Sequence, residues 1–233
     1  MNVPASPPQA GENGGSVARY SYDVVKSWPH DRDAFTQGLV FRDGALIEST
    51  GLNGQSTLRE VELETGRVLK KMALAPVYFA EGVTVIGSRA FQVTWQNRKG
   101  FVYDVDTFQL QKEFAFDGEG WGLTTDGTLL ILSDGTSRIR FLDPTSFGVT
   151  RSVEVTMAGK PVDRLNELEY IHGEIFANVW QTDDVVRIDP TTGKVRGVIT
   201  FSGLLSPQDR RADTDVLYGI AYDPTFDRLF VTC

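Results

Sequence analysis

From Tyr20 onward the chain reads as short runs in which apolar and polar residues alternate, the period of strands with one buried face. The runs are separated by strong turn signals: Asp43-Gly44, Thr65-Gly66, Asp126-Gly127, Asp143-Pro144, Asp189-Pro190, Thr192-Gly193 and Asp223-Pro224. Helical periodicity is nearly absent. The one helical expectation is a turn or two within a loop at residues 206–213. The pattern predicts an all-β protein.

The runs repeat. Gly38-Leu39-Val40, Gly82-Val83-Thr84, Gly122-Leu123-Thr124, Glu167-Leu168-Glu169 and Gly219-Ile220-Ala221 each open a strand, at spacings of 44, 40, 45 and 52 residues. Second strands are expected at 45–50, 90–95, 129–134, 174–180 and 228–233. Third strands follow at 58–63, 100–105, 139–143 and 185–189, and fourth strands at 67–74, 109–116, 150–155 and 194–201. Repeating four-stranded units of this length predict a five-bladed β-propeller, an architecture that protects sheet edges by radial repetition. A two-sheet sandwich would also alternate, but has no reason to repeat at this period. The fifth unit has only two strands in this sequence. Residues 20–28 are expected to serve as its outer strand, so that the N-terminal strand closes a last blade that is apparently truncated, with its third strand missing.

Composition narrows the partners. The 233 residues carry 23 Lys and Arg against 31 Asp and Glu, a net charge of −8, with no basic cluster for nucleic acid or an anionic membrane. One Cys excludes an internal disulfide, and one Cys with two distant His leaves no zinc-ligand spacing. No segment has the roughly 18 apolar residues of a membrane span. Residues 1–18 are rich in Pro, Gly, Ser and Asn and are expected to be a flexible leader, with the propeller domain over 19–233.

In a propeller the first strand of every blade lines the central channel, so equivalent repeat positions form a ring. The residue before each opening dipeptide is Gln37, Glu81, Trp121, Asn166 or Tyr218, which are polar or aromatic where simple packing would call for small or apolar residues. The ends of two second strands add Trp95 and Trp180. Three tryptophans are thus expected near the ring's one acidic member, as an apolar wall with N–H handles. Glu81 lies in Phe79-Ala80-Glu81-Gly82-Val83, where desolvation would raise its pKa toward that of a proton-transfer group. The alternation of Glu167 and Glu169 suggests an exposed or edge-facing pair, and Asp104, Asp143 and Asp189 read as turn formers. His30 and His172 stand in loops and receive no role. The chain has no nucleophile elbow, P-loop or dinucleotide fingerprint.

Taken together, Phe35-Thr36-Gln37-Gly38-Leu39, Ala80-Glu81-Gly82-Val83, Thr94-Trp95, Glu119-Gly120-Trp121-Gly122-Leu123, Leu165-Asn166-Glu167-Leu168-Glu169, Asn178-Val179-Trp180 and Tyr218-Gly219-Ile220-Ala221-Tyr222-Asp223 resemble the plant-type and bacterial glutaminyl-peptide cyclotransferases. The resemblance spans residues 20–233. It implies a five-bladed propeller enzyme that converts N-terminal glutaminyl residues of peptides or proteins to pyroglutamate with release of ammonia. It implies no metal and no cofactor. Carried over by position, Glu81 is the acid/base residue, and Phe35, Gln37, Trp95, Trp121, Asn166 and Trp180 line the substrate pocket. The expected protein is a monomer acting outside the cytoplasm, periplasmic or secreted. The resembling proteins continue with a Trp-Pro-Lys type segment that supplies a further strand and a lysine. Two other readings stand beside this one: a metal-dependent, lactonase-like hydrolase whose cation is held by Glu81 and Asn166, and a noncatalytic propeller that binds partners.

Overall fold

The computed structural model describes residues 17–205 and 217–232. The helical turn expected at 206–213, and most of the expected leader, lie outside the described residues. The chain enters through a short strand, β1 (Ala18–Tyr20). Three antiparallel four-stranded sheets follow: β2 (Thr36–Arg42), β3 (Ala45–Thr50), β4 (Thr57–Glu62) and β5 (Val68–Ala73); β6 (Ala80–Ile86), β7 (Arg89–Thr94), β8 (Lys99–Asp104) and β9 (Leu110–Ala115); and β10 (Leu123–Thr125), β11 (Leu130–Leu132), β12 (Arg138–Leu142) and β13 (Val149–Glu154). A small hairpin, β14 (Thr156–Met157) and β15 (Lys160–Pro161), precedes the fourth sheet, β16 (Leu165–Ile171), β17 (Glu174–Val179), β18 (Asp184–Ile188) and β19 (Val195–Thr200). A two-stranded sheet, β20 (Ile220–Asp223) and β21 (Arg228–Val231), completes the described residues.

Each full sheet is a meander in which the first strand is innermost and the fourth lies farthest out, with β1 added beyond β19 in the fourth sheet, and the burial follows. β2 and β6 begin with runs of buried residues because both their faces meet neighbouring sheets, whereas β5 alternates half-buried with exposed positions and β13 is almost wholly exposed. The turns obey the punctuation in the sequence. Asp104, Asp143 and Asp189 accept main-chain N–H bonds two or three residues ahead, from Thr107, from Thr145 and Ser146, and from Thr191 and Thr192. The β14–β15 hairpin was not anticipated; its turn residues Ala158 and Gly159 both have positive φ, as the tight hairpin turn requires.

Five apolar clusters fill the spaces between successive sheets. Ile47 and Leu58 meet Val83 and Phe101; Phe91 and Val102 meet Leu123 and Leu142; Ile131 and Phe141 meet Leu168 and Ala177. Val185 meets Ile220, and Leu39 and Leu46 meet Ala221 and Phe230, which closes the circle through the two-stranded sheet. The fold is therefore all-β and propeller-like. Among the described residues it holds four full blades, rather than the five expected, and a two-stranded fifth sheet.

The expected closure of the last blade by residues 20–28 is corrected. The N-terminal strand is β1, and it pairs in parallel with β19 on the outer edge of the fourth sheet, Ala18 opposite Gly197 and Tyr20 opposite Ile199. The segment after β1 passes the fifth sheet without joining it as a strand, and Trp28 packs its ring on Phe230 at 5.6 Å. Among the described residues the fifth sheet has two strands, and the entering segment borders it through side chains. A cavity of about 570 Å³ lies there, lined by Val24, Trp28, Leu204, Leu229 and Phe230 among others.

The glycines that open the repeat allow the inner strands to pack backbone to backbone. A Cβ on Gly82 would run into the main chain of Leu123, and one on Gly122 into that of Asn166 and Glu167. In the fourth unit Glu167 replaces the glycine, and its side chain spans the hub: Leu39 N–H donates to Oε1 and Ile220 N–H to Oε2, both at 3.2 Å. Glu167 is fully buried, and Glu169 accepts from Thr124 Oγ1 at 3.2 Å and Tyr222 N–H at 3.1 Å. The exposed or edge-facing pair expected at these positions is thus an internal one. Burial holds both carboxyls above the usual range, Glu169 at about 8, and the Glu169 charge adds to the effect on Glu167.

Candidate active site

The ring positions converge at the mouth where the inner strands begin. Gln37 and Glu81 are the second residues of β2 and β6, and Asn166 is the second residue of β16. All three are buried. Trp121 stands just before β10, while Trp95 and Trp180 follow the last residues of β7 and β17. Main-chain bonds fix these ends: Trp95 N–H donates to Phe79 O at 3.0 Å, Trp121 N–H to Ser133 O at 3.1 Å and Trp180 N–H to Arg164 O at 2.8 Å.

The aromatic side chains form two touching groups. Phe35 meets Phe79 edge-on with centroids 6.2 Å apart and tilts against Tyr218 at 5.3 Å; Phe79 in turn meets Trp95 at 5.6 Å. Trp121 and Trp180 cross at 88° with centroids 5.6 Å apart. The two groups are joined through Glu119, whose Oε2 accepts the indole N–H of Trp95 at 2.8 Å and that of Trp121 at 2.9 Å. Each expected tryptophan is half-buried. Trp28, outside this set, lies by the fifth sheet.

Glu81 is the chemically unusual member. The residue is 7% exposed, and its carboxyl makes no ion pair among the described residues and leaves Oε2 with no hydrogen-bond partner. Burial pushes its pKa well above the usual carboxylate range, and the nearby negative charge of Glu119 pushes it further. Gln37 is likewise buried with Nε2 unpartnered. One site thus holds an unpaired proton carrier and an unpaired hydrogen-bond donor. Both stand at the start of neighbouring inner strands, β2 and β6, which makes them candidates to meet a ligand there. Among the described residues no group of three or more His, Cys, Asp or Glu could hold a metal ion.

The sequence pattern places all of these except Glu119 and Phe79 at the site, Tyr218 as a ring position without an assigned pocket role. The available signal was spacing: Glu119 and Trp121 are two apart in an extended segment and so project to one side.

His30, left without a role, ties the entering chain to the first sheet. Its Nε2 lies 2.8 Å from Glu48 Oε1; Glu48 also accepts from Thr36 Oγ1 at 2.5 Å and pairs with Arg59 Nε at 3.2 Å, and Arg59 reaches Asp31 at 2.7 Å. Burial alone would lower the imidazole pKa, but the hydrogen bond and charge of Glu48 outweigh it and the net shift is upward. A raised folded-state pKa stabilises the fold below the unfolded value of ~6.5, and that contribution is lost as pH rises through the folded value. The melting temperature of wild type minus that of His30→Gln is therefore expected to be larger at acidic than at alkaline pH; a gap independent of pH would show that the contact carries no charge.

Comparison with known proteins bears on the reading of this mouth. The family model described as glutamine cyclotransferase matches residues 2–233. A glutaminyl-peptide cyclotransferase of Arabidopsis thaliana is 45% identical, the match covering 95% of this chain and 72% of the relative. The crystal structure of Myxococcus xanthus glutaminyl cyclase superposes with a TM-score of 0.86 at 37% identity, over 94% of this chain and 93% of that one. The Neurospora crassa Pan2 WD40 domain shares the fold alone, with a TM-score of 0.50 at 10% identity over 82% of this chain and 69% of that one.

Proposed function

The chain belongs to the glutamine cyclotransferase family, and on that premise we propose that the mouth described above closes N-terminal glutaminyl residues of peptides or proteins into pyroglutamate, with Glu81 carrying the protons. The observation that carries the assignment of Glu81 is its buried carboxyl, without an ion pair and with one oxygen unpartnered, beside an aromatic wall.

The chemistry asks little beyond what these residues provide. A free α-amine has a pKa near 8, so about a tenth is neutral at pH 7 and able to attack. The neutral amine nitrogen bonds to the side-chain amide carbon of the same residue. Glu81 takes the proton that this nitrogen sheds and delivers it to the amide nitrogen, whose bond to carbon breaks as ammonia leaves. A carboxyl with a raised pKa suits both transfers, because neither lies far uphill. Gln37 Nε2, unpartnered in the fold, would donate to the amide oxygen as it gains negative charge, with Asn166 as the second donor. The ring closure is intramolecular, so orientation accounts for much of the barrier. Phe35, Trp95, Trp121 and Trp180 supply it as rigid walls that fold the glutaminyl side chain back on its amine and exclude water.

In the same reading the β20–β21 sheet is the inner half of a fifth blade, and the enzyme works as a monomer outside the cytoplasm. No helix among the described residues is long and apolar enough to cross a membrane.

Ammonia release from a short Gln-initiated peptide, measured in excess chelator and against the N-acetylated peptide, tests the assignment. The free-amine peptide is expected to lose one ammonia well above the spontaneous rate with no effect of chelator, and the acetylated peptide to remain unchanged. Activity abolished by chelator and restored by a divalent cation would favour a metal-dependent hydrolase instead.

A further inference from the structure

The Glu119 carboxylate lies outside the set of residues assigned to the pocket, yet it bonds to two of them. Oε2 receives two indole N–H groups, from Trp95 at the end of the second blade's β7 and from Trp121 at the start of the third blade. Oε1 accepts from Gln96 Nε2 at 3.3 Å. Two indoles on one oxygen is a demanding arrangement. Each ring has only one donor, and to reach the same atom the two rings must be held in fixed planes from different sheets.

The loop bearing Glu119 is itself fixed from below. Arg140 on β12, 7% exposed, donates to the carbonyl oxygens of Asp117 and Glu119, the latter at 3.0 Å, and pairs with Asp134 at 3.3 Å. Gly118 takes a positive φ of 77°, and a Cβ on Gly120 would meet the Phe116 ring at 2.8 Å and Thr94 O at 2.9 Å. A buried guanidinium thus grips the main chain of the loop and leaves the Glu119 carboxylate to the two indoles.

We propose that Glu119 is a positioning residue of this site: its carboxylate locks Trp95 and Trp121 into one wall across two blades and stands as a fixed negative charge within electrostatic reach of Glu81. The claim rests on the reading of this mouth as the cyclising site. It assigns the wall's geometry to hydrogen bonds as well as to packing, and gives the raised pKa of Glu81 a second cause besides burial. The charged groups around it on the neighbouring elements are Asp117, Asp134 and Arg140 of the third blade, with Arg140 engaged by Asp134 and the loop carbonyls rather than by Glu119's carboxylate.

The test separates charge from shape and includes readouts that do not depend on turnover. In protein labelled at the Trp indole nitrogens and the Glu carboxyl carbons, NMR spectra of wild type and Glu119→Gln are compared across pH, with Glu81→Gln used to assign the Glu81 carboxyl signal. Two of the four indole resonances are expected to move in Glu119→Gln, and the Glu81 titration midpoint to fall by about half a pH unit or more. Trp95→Phe, which removes one indole donor but keeps the charge, is expected to raise KM several-fold while leaving the Glu81 midpoint in place. A Glu81 midpoint and two indole signals unmoved in a folded Glu119→Gln would overturn the proposal. Wild-type ammonia release is recorded on the same samples, so an inactive wild type counts against the reaction and unmoved resonances count against Glu119 alone.

Discussion

Glu81→Gln is expected to lower kcat by about 10² to 10⁴, the usual worth of a positioned general acid and base. Gln has nearly the shape of Glu and can still donate or accept a hydrogen bond, but it cannot take a proton from the attacking amine and return it to departing ammonia. KM is expected to change little, because the aromatic wall and Gln37 remain. Stability should not fall, and linkage gives the sign. The folded-state pKa of Glu81 is raised well above 4.5 by burial and by Glu119. The wild-type protein thus loses stability, relative to a non-titrating variant, as pH rises through that folded value. At neutral pH Glu81→Gln is expected to melt at the same temperature as wild type or higher. Lost turnover with retained or increased stability is the signature of a group kept for chemistry, and the opposite pattern would place Glu81 in the packing.

Glu167→Ala should show the reverse profile, a large loss of stability. The side chain bridges β16 to β2 and β20, so its removal leaves the buried N–H groups of Leu39 and Ile220 without their acceptor and opens a space at the hub. An orphaned buried donor costs about 1–3 kcal/mol, partly offset here because a desolvated carboxyl also disappears. A net loss of about 2–4 kcal/mol lowers the melting temperature by roughly 5–15 °C in a protein of this size. Glu167→Gln keeps one acceptor oxygen and is expected to fall between the two. Thermal unfolding followed by circular dichroism measures all three. An alanine variant as stable as wild type would mean that the hub is held by strand packing alone.

The two glutamates show which parts of the molecule could be read from sequence. Repeat spacing placed both at the start of inner strands, and for Glu81 the apolar neighbours were enough to anticipate burial. Glu167 was misjudged because alternation describes a sheet with one wet face, whereas an inner propeller strand has none. What gave it away was its substitution for the glycine at the same position in the other four units. Strand positions were legible for a related reason: turn residues such as Asp104, Asp143 and Asp189 act through their nearest neighbours, and local rules suffice. Closure was not. Whether residues 20–28 join a sheet depends on a free strand edge within reach, which no local pattern encodes, and the pairing of β1 with β19 links residues about 180 positions apart. The role of Glu119 was hidden likewise, since its two partners come from different blades.

The most direct test of the account is mass spectrometry of one short Gln-initiated peptide incubated with wild type and with Glu81→Gln, both shown to be folded. A product lighter by one ammonia is expected, formed by wild type far faster than in buffer and by the variant at no more than a hundredth of that rate. Equal rates for the two proteins would contradict it, because the ring would then close without the proton carrier on which the mechanism is built.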